Sequence, residues 1–168
     1  LFRSMIHNLS DMNVLFLCTG NSARSILAEA ILNAKAEGRH RAYSAGSHPK
    51  GEVHPLALAV LTTCGMPVAD LASKSWETYT GDAAPHMDVV ITVCDRAAAE
   101  ACPLWPGAPV SAHWGLPDPA ATEDGEHERL AAFAATFNAL EKRIDLMLGL
   151  PLEFLSPDER EQQLRAIG

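Results

Sequence analysis

The 168-residue chain is poor in cysteine, poor in positive charge and without a long apolar run, and each shortage removes a class of protein. Four cysteines are too few to staple a small secreted scaffold. They form no Cys-x-x-Cys pair, and no His/Cys spacing of the zinc-finger type occurs, so no metal site is expected. Lys and Arg number 13 against 21 Asp and Glu, a net charge of −8. Proteins that neutralise phosphate backbones are normally basic, so nucleic acid is not an expected partner. No apolar stretch approaches the roughly 20 residues that cross a bilayer, and residues 1–11 lack the apolar centre of a secretory signal. The expectation is a soluble protein of a reducing cytoplasm, carrying free thiols. Because the chain begins with Leu, with Met5 and Met12 as alternative starts, residues 1–11 read as an extension outside the fold.

What remains is an ordinary globular composition, 48% hydrophobic and 20% charged, of a length that fits one domain. Residues 13–18 (NVLFLC) form a continuously apolar run ended by Thr-Gly-Asn, as in a buried parallel strand. Ile26, Leu27, Ala30, Ile31 and Ala34 then recur at helical spacing until Gly38. A second strand is expected over 41–45, and a second helix from Pro55 to Gly65, with His54 at its start. Residues 73–85 read as a loop or irregular helix. Residues 88–93 (DVVITV) make the strongest strand, and 109–112 a weaker fourth. Leu130, Phe133, Ala134, Phe137, Leu140, Ile144 and Met147 trace one apolar stripe, a long amphipathic helix with its face in the core. Ser156-Pro157-Asp158-Glu159 has the pattern of a helix start. The fold class is therefore α/β: a single domain over 12–149 with a four-stranded parallel sheet flanked by helices, and a short helical extension over 150–168.

In such sheets ligands bind beyond the carboxyl ends of the strands. The first strand ends in Cys18-Thr19-Gly20-Asn21-Ser22-Ala23-Arg24-Ser25, immediately before a helix. A loop that wraps into a helix N-terminus aims several backbone N–H groups at one point and adds the positive end of the dipole. Gly20 and Asn21 tolerate the left-handed backbone this needs. Arg24 can grip a tetrahedral oxyanion with two hydrogen bonds. The same donors are expected to lower the Cys18 thiol and leave a nucleophilic thiolate, with Ser25 donating to its sulfur. A buried strand cysteine is the commoner state of any single Cys; the combination of strand, Cys-x5-Arg-Ser and helix favours an oxyanion site. The Gly-Lys-Ser/Thr ending of a nucleotide loop is absent.

The third strand runs into Cys94, and Cys102 follows eight positions later. Both are candidates for thiol–disulfide exchange with Cys18, although Cys94 alone could equally be a small core residue. After the fourth strand, Asp118 stands between Pro117 and Pro119 and is a candidate general acid. Cys64 reads as structural, and Trp76, Trp105 and Trp114 as packing residues.

The segments VLFLCTGNSARSILAEA, AYSAG, DVVITVCDRAAAEACP and HWGLPDPA resemble the low-molecular-weight protein tyrosine phosphatases and the arsenate reductases built on that fold. The resemblance implies Cys18 as nucleophile, Arg24 as anion clamp and Asp118 as general acid. Cys94 and Cys102, with HWG before the Asp-Pro, resemble the reductases. Ala120 and Ala121 stand where the phosphatases usually carry an aromatic pair. The reductase likeness implies a relay from Cys18 to Cys94 to Cys102, with no tightly bound cofactor. Its external reductant would be thioredoxin, glutaredoxin with glutathione, or another small thiol. The substrate would be arsenate, with phosphate and sulfate as analogues. A phosphatase using Cys18, Arg24 and Asp118 without the relay is the alternative, and a thiol sensor using Cys94 and Cys102 is a third.

Overall fold

The computed structural model describes residues 12–100, 105, 109–122 and 124–168. Four strands, β1 (Met12–Leu17), β2 (His40–Ala45), β3 (Val89–Thr92) and β4 (Val110–His113), form one parallel sheet in the order β2-β1-β3-β4. Period-2 alternation sends Val14 and Phe16 of β1 to one face and Leu15 and Leu17 to the other, and all four are fully or almost fully buried. That is why the strand reads as a continuous apolar run.

The larger core lies where the helices pack. It takes Leu27, Ile31 and Leu32 from α1 (Arg24–Lys35) and Ala57, Val60 and Leu61 from α2 (Pro55–Thr63). Between β3 and β4 lies a five-residue helix, α3 (Asp95–Ala99). The long helix α4 (Glu126–Leu148) contributes Phe133, Phe137, Leu140, Ile144 and Met147. Burying each such side chain is worth about 1.5–3 kcal/mol. Leu130 departs from the expected stripe: it is 41% exposed, because the acidic first turn of α4 projects past the core. On the opposite face Leu15, Leu17, Ala45, Met87 and Val90 pack with Tyr79 beneath a one-turn 3-10 helix, Trp76–Tyr79.

The extension forms α5 (Pro157–Ile167), capped by the Ser156 hydroxyl, and lies along β4. Among the described residues β4 pairs with β3 alone, so one side of its backbone would be open. Glu161 Oε1 accepts from Ser111 N at 3.1 Å and Arg165 Nε donates to Ser111 O at 3.1 Å, so two side chains pair the Ser111 backbone as a fifth strand would. Among the described residues no helix is long and apolar enough to cross a membrane.

Candidate active site

With β1 between β2 and β3, the chain leaves the carboxyl ends of β1 and β3 side by side, at the point where strand order reverses. Leu17 pairs with Thr92, and Val93 N continues the ladder to Leu17 O at 2.9 Å. This register brings Cys18, one residue past β1, beside Cys94, two residues past β3.

Residues 18–23 wrap from β1 into α1 around Asn21. Its φ of 43° lies in the left-handed region, which asparagine tolerates. Its buried amide donates to Ser25 Oγ at 2.9 Å and to Ser44 Oγ at 3.0 Å, while its Oδ1 accepts from Lys74 N at 2.8 Å. Ser25 Oγ accepts from the Asn21 amide, and among the described residues the expected hydrogen bond from Ser25 to the Cys18 sulfur is not formed. No side chain caps α1, so its first amides are left for an anion. Gly46 backs the loop: a Cβ there would lie 2.6 Å from Cys18 O and press on Thr19 O.

The cysteine pair departs from expectation. Cys94 caps α3, and its sulfur accepts from Ala97 N at 3.3 Å. The Cys18 and Cys94 thiols face the same cavity and act on each other's protons. Cys94 and then burial push the Cys18 thiol up, against the pull of Arg24 and of the Gly20 amide. Cys18, helped by the Ala97 amide and by Thr19 and opposed by burial, lowers Cys94 to about 5. The surroundings thus favour the proton on Cys18 and the negative charge on Cys94.

Arg24 reaches across the loop. Its Nη1 donates to Leu116 O at 2.8 Å, its Nη2 lies 4.0 Å from Asp118 Oδ2, and its Nε is buried with no partner among the described residues. A guanidinium so held has its inner edge free for a tetrahedral oxyanion. Asp118 caps the Pro119–Ala121 turn, its Oδ1 accepting from Ala120 N at 3.0 Å, and its half-exposed carboxylate faces the same cavity. That cavity, of about 380 Å³, is lined by Cys18, Arg24, Cys94 and Asp118, with Thr19, Gly20, Ser22 and Ala23 at its floor. Asn21 and Ser25 lie behind the loop rather than in the cavity. Cys102 lies outside the described residues.

The sequence profile of the low molecular weight phosphotyrosine protein phosphatases matches residues 13–158. The chain belongs to this family. Within it, the arsenate reductase of Bacillus licheniformis is 33% identical over 136 residues, 81% of this chain and 94% of its own. A solved arsenate reductase in the phosphate-binding state superposes with a TM-score of 0.64 at 25% identity, over 82% of this chain and 96% of that one. A thioredoxin-dependent arsenate reductase of Corynebacterium glutamicum superposes with a TM-score of 0.54 at 29% identity, over 86% and 71%.

In this phosphatase-family chain several site neighbours are invisible to motif reading. His48, Lys50 and Arg96 line the cavity, and Lys50 and Arg96 supply local positive charge in an acidic protein. Beneath the loop, Ser44 Oγ donates to Glu29 Oε1 at 2.5 Å, and Lys74 Nζ lies 3.8 Å from the same oxygen. Burial pushes the Glu29 carboxyl up and the Lys74 ammonium down, and each draws the other back towards its charged form. His113, the histidine nearest the site in the sequence, is held between Thr92 Oγ1 at 2.7 Å and Asp95 Oδ1 at 2.8 Å and does not line the cavity. Cys64 is exposed at the end of α2, whereas Trp114 is buried. No three His, Cys, Asp or Glu side chains among the described residues gather as a metal site.

Proposed function

We propose that this protein reduces arsenate to arsenite, using Cys18, Cys94 and Cys102 in turn. One observation carries the reading: a second thiol, Cys94, lines the same cavity as the nucleophile of an oxyanion loop and is the more readily ionised of the two. Ester hydrolysis on Cys18 would have no use for it. The similarity to curated arsenate reductases over most of the chain supports the same substrate.

Arsenate takes the amides of residues 19–25 and the free edge of Arg24. The Cys18 thiol gives its proton to an arsenate oxygen as its sulfur attacks arsenic, Asp118 gives a proton to the leaving oxygen, and water departs. Cys94, as thiolate, then attacks the Cys18 sulfur. A sulfur–sulfur bond forms, the sulfur–arsenic bond breaks, and its electron pair stays on arsenic, which leaves as arsenite. Cys102 attacks Cys94, frees the Cys18 thiolate and carries the disulfide to Cys94–Cys102. An external thiol, either thioredoxin or glutaredoxin with glutathione, restores both thiols. Two thiols supply the two electrons, so no further cofactor enters the balance. The role is arsenical detoxification in the cytoplasm.

The family profile favours a second reading, phosphate monoester hydrolysis by Cys18, Arg24 and Asp118 alone. Cys94→Ser separates the two. Arsenite release should fall to background while any ester hydrolysis persists, and Cys18→Ser should abolish both. Arsenite turnover that survives Cys94→Ser would refute the reductase relay.

A further inference from the structure

Cys94 stands between two residues that a single side chain joins. His113 ends β4, and the register of β4 on β3 sets it beside Thr92, two residues before the thiol. Its Nδ1 lies 2.7 Å from Thr92 Oγ1, and its Nε2 lies 2.8 Å from Oδ1 of Asp95, the residue that follows the thiol and opens α3. A carboxylate can only accept, so Nε2 carries a hydrogen; the Thr92 hydroxyl, able to donate or accept, completes the bridge at Nδ1. Gly115 leaves room for it, since a Cβ there would stand 2.7 Å from both Asp95 Oδ1 and His113 Nε2. α3 needs such a tie. Five residues are too few for a helix to hold itself, and of these five only Ala97 is buried. Its far end is tied separately, by Thr19 Oγ1 donating to Glu100 Oε1 at 2.8 Å.

We infer that His113 is a positioning residue for Cys94: by bridging Thr92 and Asp95 it holds the start of α3 so that the Ala97 amide points at the Cys94 sulfur. That contact, 3.3 Å from Ala97 N to Cys94 Sγ, spans the first turn of α3 and exists only while the turn is formed. The Ala97 amide is among the donors that lower the Cys94 thiol. The inference rests on the reading of Cys94 as the second thiol of the exchange. It explains how that thiol stays ionised on a helix too short to hold its own N-terminus. His113 does not line the cavity, and no proton or electron passes through it; it acts only through the backbone on either side of Cys94.

The test needs no arsenate. In the full, reduced chain carrying Cys18→Ser, the pH dependence of Cys94 alkylation is followed by peptide mass, which separates Cys94 from the other thiols. Adding His113→Ala should raise the Cys94 midpoint by about one pH unit, the scale of a hydrogen bond to a charged group. Gly115→Ala, which presses on the bridge and removes neither partner, should raise it as well and serves if the first variant fails to fold. His113→Gln, a neutral side chain that keeps an N–H for Asp95, should leave it close to the parent value. The titratable groups that share the cavity with Cys94, namely Arg24, His48, Lys50, Arg96 and Asp118, are the same in every variant, as is Glu100 on Thr19. A midpoint unmoved by His113→Ala or Gly115→Ala would overturn the inference; a merely structural role would lower the melting temperature and leave the midpoint in place. An equal rise in His113→Gln would overturn it too, by pointing to imidazole charge instead of position. Failure of arsenate reduction would leave this titration untouched, so the two claims fall separately.

Discussion

A carboxylate buried beneath a reactive loop is costly unless a cation shares its burial, and Glu29 with Lys74 meets that condition. Because burial raises the Glu29 carboxyl above its ordinary value of 4.5, the folded protein binds more protons than the unfolded chain in the window from 4.5 up to that raised value. Its contribution to stability is thus fully present below 4.5 and falls as pH rises through the window. Glu29→Gln should flatten that fall in thermal melts taken across it; an unchanged slope would mean that Glu29 titrates as it does in the unfolded chain. At this scale the sequence was legible where chemistry is local. Cys18, Arg24 and Ser22 belong to one unbroken loop, and their types announce an oxyanion site. Glu29, Ser44 and Lys74 are individually ordinary, and only the pairing of β2 beside β1 and of Ser75 beside Gly46 brings the last two to the loop. The sequence offers Cys94 as a partner for Cys18, but the burial and mutual influence that raise one thiol and lower the other come only with the fold.

At the scale of elements, the loop between β1 and α1 depends on the residue that follows β2. Gly46 must lack a side chain, because its Cβ direction points into the carbonyls of Cys18 and Thr19. Gly46→Ala should displace the loop and cost about a hundredfold in rate, the usual effect of an ångström of misplacement at a reacting centre; normal activity would show that the loop yields at no cost. The extension over 150–168 reads from sequence as a helix with no assigned task. Its place in the fold gives it two: it pairs the Ser111 backbone on the open edge of β4, and its Leu164 O accepts from Trp114 Nε1 at 2.9 Å. Trp114 opens the segment that carries Leu116 and Asp118 to Arg24. Trp114→Phe leaves a buried carbonyl unpaired and should cost about 2 kcal/mol, or about 5 °C in melting temperature for a domain of this size. An unshifted melt would show that the helix does not brace this segment. Strand and helix order were legible because periodicity is local; the bracing was not, because it joins residues fifty positions apart.

For the molecule as a whole, net charge and site charge have opposite signs. A chain of −8 gathers Arg24, Lys50 and Arg96 round one cavity, so an anion is drawn by local donors and not by the overall field. The parallel sheet makes this possible by delivering the ends of β1 and β3, and the segment after β4, to one rim. One measurement tests the central claim most directly. Fully reduced protein is mixed with arsenate and no reductant, beside a phosphate control, and its thiols are counted while disulfides are mapped by peptide mass. The account predicts loss of one thiol pair, mapped to Cys94–Cys102, with an equal amount of arsenite released and no change under phosphate. Four unchanged thiols under arsenate would contradict it.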